Sequence, residues 1–458
     1  MCAIIGAIVS LTTSQELELE EANRILRDVW TASHARGRDG RGYKFANSLP
    51  LGNGEYHGIT NIENERLDAP RFLGKAAYTT MIGNVRAEPT TEYIAIKHQY
   101  DQQPYSVGGW SIVHNGTIAN DKELRSYRHD TKIDSAAIAE ALDSAGAFDY
   151  FSFHEVVKTL KGSFAIIATN EKEPDALYVA ANYRPIWYIE TDFGVFFASA
   201  EDYFDPAYAA KMLEPYSTAA FNSKGRIASG SLYDSSDHSD SAVVVCSGGM
   251  DSVVAAAYAQ HMGMKIHLLH FQYGSRAQGP EVKAVQAVAQ ALGAELTLFP
   301  LPVYRKGDSP LLDPDSTIAG GEAGAEFAHE WVPARNLVLL SVATAFAEAR
   351  GSSIIVLGNN LEEAGAYPDN EPEFIEKFNK MLPFAVGAGK RMRVIMPVGN
   401  MMKHEIVALG IALGAPLHLT WSCYRAGEKH CGTCGPCFMR RTAFKINGAD
   451  EVIEYEKD

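Results

Sequence analysis

A run of small and β-branched residues, Ala242-Val243-Val244-Val245-Cys246, leads straight into Ser247-Gly248-Gly249-Met250-Asp251-Ser252 and then into a helical pattern from Val253 to His261. This order reads as strand, loop, helix. Two adjacent glycines let the backbone approach an anion, the hydroxyls of Ser247 and Ser252 add donors, and a helix N-terminus favours negative charge beside it. Pyrophosphate is the natural guest, although a plain glycine turn into a helix would use the same residues. The loop is not of the GxxxxGK type, because no lysine follows the glycines. Further on, strand patterns near 266, 296 and 354 alternate with helical patterns near 281, 337 and 404. Such alternation predicts a parallel sheet with helices on both faces and the loop at a strand's carboxyl end, where these sheets bind ligands.

A different chemistry is available at the N-terminus. Removal of Met1 would leave Cys2 with both a thiol and a free α-amino group, whose pKa of about 7.7 to 8.0 lets a fraction act as a base near pH 7. A cysteine in an apolar segment is equally an ordinary small hydrophobe. Three polar islands accompany it: the glycine-rich stretch His34 to Gly42, the stretch Asn84 to Thr90 with Arg86 inside it, and Ile112-Val113-His114-Asn115-Gly116. A thioester-forming cysteine needs an oxyanion hole. Asn115 can offer a side-chain amide and Gly116 a backbone N–H, while Arg86 can clamp a carboxylate bidentately. Asp134 suits an α-ammonium. Each also has a local structural use, since Asn-Gly is a common turn and Asp134, just before Ser135-Ala136-Ala137, is a good helix N-cap.

Four of the six cysteines, Cys423, Cys431, Cys434 and Cys437, fall within fifteen residues. Two disulfides are one use of them. The sequence shows no basic segment ahead of its first apolar run and no stretch long enough to span a membrane, which points to a reducing cytoplasm. There the C-x2-C-x2-C spacing favours tetrahedral zinc. Four protein ligands leave no open coordination position, so this metal is expected to be structural. Cys246 is left over as a buried strand residue.

A length of 458 residues suggests two or three domains, and 46% hydrophobic content is ample for their cores. Gly, Ser and Asp crowd together between Asn222 and Ser241, which sets expected boundaries at 1–221, a linker at 222–241, and 242–458. Strand patterns at Ala165 to Thr169 and Gly194 to Phe197 suggest a sheet-rich layered first domain. The formal net charge of -15 argues against a broad electrostatic grip on nucleic acid. Lys390-Arg391-Met392-Arg393 and Arg440-Arg441 remain as local basic patches.

The order and spacing of the N-terminal islands, together with Gly162-Ser163-Phe164-Ala165 and Phe196-Phe197-Ala198-Ser199-Ala200, resemble the class II, N-terminal nucleophile (Ntn) glutamine amidotransferase domain from Cys2 to about residue 220. That resemblance implies an α/β/β/α layered fold, Cys2 as nucleophile, Arg86 and Asp134 on glutamine's carboxylate and amine, and Asn115 with Gly116 as oxyanion hole. Arg38 stands where the family usually has proline. Ser247 to Ser252 resembles the PP-loop of adenine nucleotide α hydrolase-like enzymes, which split ATP into AMP and pyrophosphate to adenylate a substrate. Ser247, Gly248, Gly249, Asp251 and Ser252 would then bind ATP with its magnesium.

Residues 242 to 448 are similar to 7-cyano-7-deazaguanine synthase through Val332-Pro333-Ala334-Arg335-Asn336, Gly358-Asn359-Asn360, Tyr367-Pro368-Asp369, Pro372-Glu373-Phe374-Ile375, Lys403-His404-Glu405-Ile406-Val407 and Thr420-Trp421-Ser422-Cys423-Tyr424. The zinc cysteines fall in register. This resemblance implies ATP-driven conversion of 7-carboxy-7-deazaguanine to an amide and then a nitrile, and it assigns Arg335, Asn336, Glu362, Tyr367 and Asp369 to the deazaguanine pocket or to ATP. A fused glutaminase would supply ammonia, which is mostly non-nucleophilic ammonium near pH 7. The departures Glu362 to Ala366, Asn370 and Ser275-Arg276-Ala277 are expected to line the base pocket. An archaeosine-type synthase, which adds ammonia to the nitrile, also carries a fused glutaminase, but the intact PP-loop favours carboxylate activation. Asparagine synthetase shares the domain order without the zinc cluster, and a tRNA thiolase has no use for Cys2. A catalytically inactive 7-deazaguanine-binding protein is the non-enzymatic alternative. The acceptor stays open between a free base and a base already in tRNA or DNA, as does a homodimer.

Overall fold

The computed structural model describes residues 2–458 except 11–15, 38, 48–55, 60–68, 73–78, 88–97, 127–129, 234–239, 319, 321–329, 365–366, 450–452 and 457–458. Arg38 therefore lies outside the described residues, as does most of the Asp234 to Ser241 stretch. The chain divides into two compact units, Met1–Asp234 and Ser235–Asp458.

In the first unit, β1 (Ala3–Val9) has the sequence AIIGAIV and is buried at every position. Such a strand must be covered on both faces. Ile4 and Ile8 pack with Val113, Ile167, Leu177 and Phe221 of a second sheet, whereas Ile5, Ala7 and Val9 pack against Ile25, Leu26 and Trp30 of helix α1 (Glu16–Ser33). The seven-stranded sheet around β1 has the order β11-β9-β10-β1-β4-β2-β3. Its members include β2 (Gly40–Asn47), β3 (Tyr56–Ile59), β4 (Thr79–Arg86), β9 (Trp187–Thr191), β10 (Gly194–Ala198) and β11 (Lys211–Met212). The facing six-stranded sheet runs β13-β12-β8-β7-β6-β5, built from β5 (Tyr105–Val107), β6 (Trp110–Ile118), β7 (Gly162–Asn170), β8 (Glu173–Ala181), β12 (Ser217–Asn222) and β13 (Gly225–Ser231). After the short helix α2 (Asp121–Leu124), helices α3 (Ala136–Ser144) and α4 (Tyr150–Thr159) cover its outer face with Ile138, Leu142, Phe153 and Val157. The result is the α/β/β/α layering expected from sequence. A Cβ on Gly6 would come within 3.0 Å of Ile167, so the glycine lets the two sheets approach.

One expectation needs correction. The linker expected at 222–241 contains strand β13, which pairs with β12 along its length. An edge strand is held by backbone hydrogen bonds and needs little apolar burial, so its composition, GRIASGS, conceals it.

In the second unit five parallel strands run in the order β16-β15-β14-β17-β18, from β14 (Ser241–Val245), β15 (Lys265–Gln272), β16 (Glu295–Pro300), β17 (Ile354–Val356) and β18 (Arg393–Ile395). Alternate residues of the central strand face opposite layers. Ala242 and Val244 pack with helices α5 (Met250–His261) and α6 (Gln278–Leu292), while Val243 packs with the helices Arg335–Ala349 and Pro372–Ala385. Strand order reverses at β14, which opens a crevice at its carboxyl end. Among the described residues no helix is long and apolar enough to cross a membrane.

Phe197 and Phe221, from opposite sheets, meet edge to face with centroids 4.9 Å apart in the inter-sheet core. Phe197→Ala should therefore destabilise the first unit by about 3–5 kcal/mol, seen as a lower urea midpoint. Phe151→Ala, at a 69% exposed position, should change it by no more than about 0.5 kcal/mol.

Candidate active sites and cysteine centre

Ala3 pairs with Val85, and continuing that register one step sets Cys2 opposite Arg86, the last residue of β4. The Cys2 Sγ lies 3.6 Å from the carbonyl oxygen of Ala87. Because Ile4 and Ile82 face the second sheet and side chains alternate along a strand, Cys2 and Arg86 share that inner face. On the facing sheet Val113 points inward, and Asn115, two residues along β6, belongs to the same face. Asn115-Gly116 is not a turn but part of β6. Gly116 has φ of +152°, and a Cβ there would sit 1.9 Å from the Ser163 carbonyl oxygen, so no other residue fits.

Asp134 does not cap α3 with its side chain; Ser135 occupies the cap position. The Asp134 carboxylate instead accepts from the backbone N–H of Ile118, two residues after Gly116, and from the Ser135 hydroxyl. Arg86 Nη1 donates to the Asp101 carbonyl at 2.8 Å. Burial raises the pKa of Tyr105, with the Arg86 charge opposing the rise and those of Asp101 and Asp134 adding to it. His114, from the neighbouring position, turns the other way: its Nδ1 bonds the Ser135 hydroxyl at 2.8 Å, and burial lowers its pKa. Sequence reasoning missed Gln103, whose carboxamide accepts from the N–H of His114 at 2.6 Å and donates to its carbonyl at 3.1 Å. It had no local signal.

In the second unit the loop Ser247 to Ser252 sits at the carboxyl end of β14. Gly248 has φ of +84°, and its carbonyl accepts from the Trp421 N–H at 2.9 Å. The Ser247 and Ser252 hydroxyls lie 3.2 Å apart, Ser247 Oγ accepts from the Gly249 N–H, and Ser252 Oγ donates to the Gly249 carbonyl. Asp251 forms an ion pair with Lys403 and accepts from Asn360 Nδ2 at 3.4 Å. Lys403 lies 152 residues away in sequence, and only its place in the Lys403 to Val407 string hinted at it. The Glu362 carboxylate accepts from the Lys403 backbone N–H at 3.0 Å.

Ser247, Gly249, Asp251, Ser252, Glu362, Lys403 and Trp421 border one cleft with Arg335, Asn336, Tyr367, Asn370, Ser275, Arg276, Ala277 and Glu281, whereas Gly248 does not line it. Burial raises the carboxyl pKa of Glu281 even though Ser275 and Arg335 act to lower it. Asp369 lies behind this wall rather than in it: its carboxylate accepts from the Asn336 N–H at 2.9 Å, and its carbonyl accepts from Asn336 Nδ2. Residues 365 and 366 of the expected pocket segment lie outside the described residues. Arg440 is not a solvated basic patch, because it is buried and donates to the Thr420 hydroxyl and the Leu417 carbonyl.

The sulfurs of Cys423, Cys431, Cys434 and Cys437 all lie within 4.8 Å of one another, are buried and form no disulfide. The pairs Cys431–Cys437 and Cys423–Cys434 are 4.0 Å apart, against about 3.8 Å for the edge of a tetrahedron of 2.3 Å zinc–sulfur bonds. Backbone N–H groups of Arg425 and Cys431 point at the Cys423 sulfur, and those of Thr433 and Cys434 at the Cys431 sulfur. Such donors favour thiolates, so this cluster could hold a metal ion. Cys246 is separate and fully buried, and burial raises its thiol pKa.

A Cβ on Gly358, just beyond β17, would lie 2.5 Å from Cα and 2.6 Å from N of Ser252. Gly358→Ala should displace the start of α5 and lower the thermal transition of the second unit. An unchanged melting curve would contradict this packing.

The family described as "Queuosine biosynthesis protein QueC" matches residues 241–448, and that described as "Glutamine amidotransferase domain" matches residues 90–206. The chain is similar to the 7-cyano-7-deazaguanine synthase of Sulfolobus acidocaldarius, with 40% identity over 100% of both chains. It is also similar to 7-cyano-7-deazaguanine synthase 2 of Sulfurisphaera tokodaii, with 46% identity over 82% of this chain and 84% of that one. The 7-cyano-7-deazaguanine synthase of Methanothrix thermoacetophila is 43% identical, but 98% of its length matches only 47% of this chain.

Proposed function

Because the chain belongs to the 7-cyano-7-deazaguanine synthase family and joins a glutamine amidotransferase domain to it, we propose that it converts 7-carboxy-7-deazaguanine to 7-cyano-7-deazaguanine with ATP and the amide nitrogen of glutamine. The observation that carries this reading is the cleft in which Ser247, Gly249, Asp251 and Ser252 face Arg335, Asn336, Glu362 and Tyr367. A loop for phosphates and a wall of donors and acceptors share one space.

In the first unit the Cys2 thiol, relieved of its proton by its own α-amine, attacks the side-chain carbonyl of glutamine. Arg86 and Asp134 hold the substrate's carboxylate and ammonium, and Asn115 with the Gly116 N–H receives the oxyanion. Ammonia leaves, and water hydrolyses the thioester to glutamate. In the second unit the substrate carboxylate attacks the α-phosphorus of ATP and pyrophosphate departs, its charge met by the loop N–H groups, Ser247 and Ser252. Ammonia then displaces AMP to give the amide. The amide oxygen attacks a second ATP, pyrophosphate leaves again, and loss of AMP and protons yields the nitrile. Magnesium carried with ATP would neutralise phosphate charge, with Asp251 as the carboxylate beside it. Lys403, already paired with Asp251, is placed to hold that carboxylate in position. Zinc on the four thiolates would contribute folding free energy and no reactive water.

Cys2→Ala should abolish glutamine-driven product while added ammonium salt restores it; equal loss with both nitrogen donors would refute the division of roles. Asp251→Asn should stop pyrophosphate release and leave glutamine hydrolysis intact. Metal analysis should find about one zinc per chain, the stoichiometry of one four-ligand site, and Cys434→Ser should lose it along with thermal stability. Iron with inorganic sulfide in place of zinc would overturn the structural-zinc reading.

A further inference from the structure

Gln102 lies on the inner wall of the first unit, and nothing so far accounts for its side chain. It is 2% exposed, and its amide nitrogen Nε2 is buried without a hydrogen-bond partner among the described residues. Its neighbour Gln103 spends its carboxamide on the backbone of His114, so the two adjacent glutamines differ in kind. The position of Gln102 follows from the sheet. Gly40 of β2 is the register partner of Arg86 on β4, and a Cβ on Gly40 would fall 2.1 Å from Gln102 Oε1. Only a glycine at position 40 leaves room for this carboxamide. The peptide that begins Gln102 is the one whose carbonyl, from Asp101, accepts from Arg86 Nη1 at 2.8 Å. The Gln102 carboxamide thus packs over the β2 position paired with Arg86, and the Arg86 guanidinium bonds the carbonyl just ahead of it, on the face that also carries Cys2.

A buried N–H donor left without a protein acceptor is costly, and it is retained where a ligand supplies the acceptor. The geometry points to Gln102 as a second donor to the α-carboxylate of bound glutamine, its Nε2–H completing the clamp begun by Arg86. This rests on the reading of Arg86 as the carboxylate-binding residue. Arg86 brings charge and Gln102 brings direction, a neutral donor that one carboxylate oxygen can accept from while the guanidinium takes the other.

The test measures ammonia release from three amides: L-glutamine, glutaramate, which lacks the α-ammonium, and 4-aminobutanamide, which lacks the α-carboxylate. Gln102→Leu should raise KM for the first two by about 10- to 100-fold, the range of one hydrogen bond to a charged group, and leave KM for the third unchanged. Gln102→Glu, close in shape but repelling a carboxylate, should raise the same two further. Thermal melting of both variants identifies a folding defect, and either folded variant suffices. An equal rise for all three amides, or no rise for any, would overturn the assignment. Arg86→Ala is run in parallel. If it shows the carboxylate-selective loss and the Gln102 variants do not, the proposal falls alone; if it shows none, the reading of Arg86 falls with it.

Discussion

The second unit is organised around one junction, the loop Ser247 to Ser252 that joins the carboxyl end of β14 to the first turn of α5. Several features follow from it. Strand order reverses at β14, so no neighbouring connection crosses above the loop. Gly358 lacks a side chain because the backbone of Ser252 passes 2.5 Å from where its Cβ would be. The Trp421 N–H fixes the Gly248 carbonyl from the far side, which ties the loop to the segment that opens the cysteine cluster. Lys403 pairs with Asp251, so the carboxylate at the helix start is held in place.

The first unit answers a different demand. The strand that follows Cys2 sets where it lies. β1 sits in the middle of its sheet, paired with β4 on one side and β10 on the other, and is buried on both faces. Its first residues are further fixed by side chains, since Ser199 Oγ accepts from the Ile4 N–H at 2.9 Å and Asn84 donates to the Ala3 carbonyl. Rigidity at Ala3 and Ile4 is what gives Cys2 a defined place opposite Arg86.

Most of the fold was legible in sequence because its signals are local. The apolar run from Ala242 to Val245, the glycines after it and the alternation of helix and strand patterns each depend on a few neighbouring residues. What escaped was held by distant or backbone partners. β13 has almost no apolar content, with Ile227 exposed at 57%, and exists because β12 offers it a ladder. Asp134 read equally well as a helix cap, yet its carboxylate bonds Ile118. Lys403 meets Asp251 only once β14 and the Lys403–Ala412 helix are folded. Gln102 and Gln103 are identical neighbours in sequence, and only their burial against Gly40 and His114 separates them.

The two sites carry one claim together, that nitrogen from glutamine ends in the nitrile of a 7-deazaguanine at the expense of ATP. Mass spectrometry of the product formed from ATP, amide-15N glutamine and 7-carboxy-7-deazaguanine tests it most directly. The account predicts 7-cyano-7-deazaguanine one mass unit heavier than the unlabelled nitrile, with AMP and pyrophosphate formed in step with it. Unlabelled nitrile, a product halted at the amide, or a formamidine made only when the nitrile is supplied would contradict it.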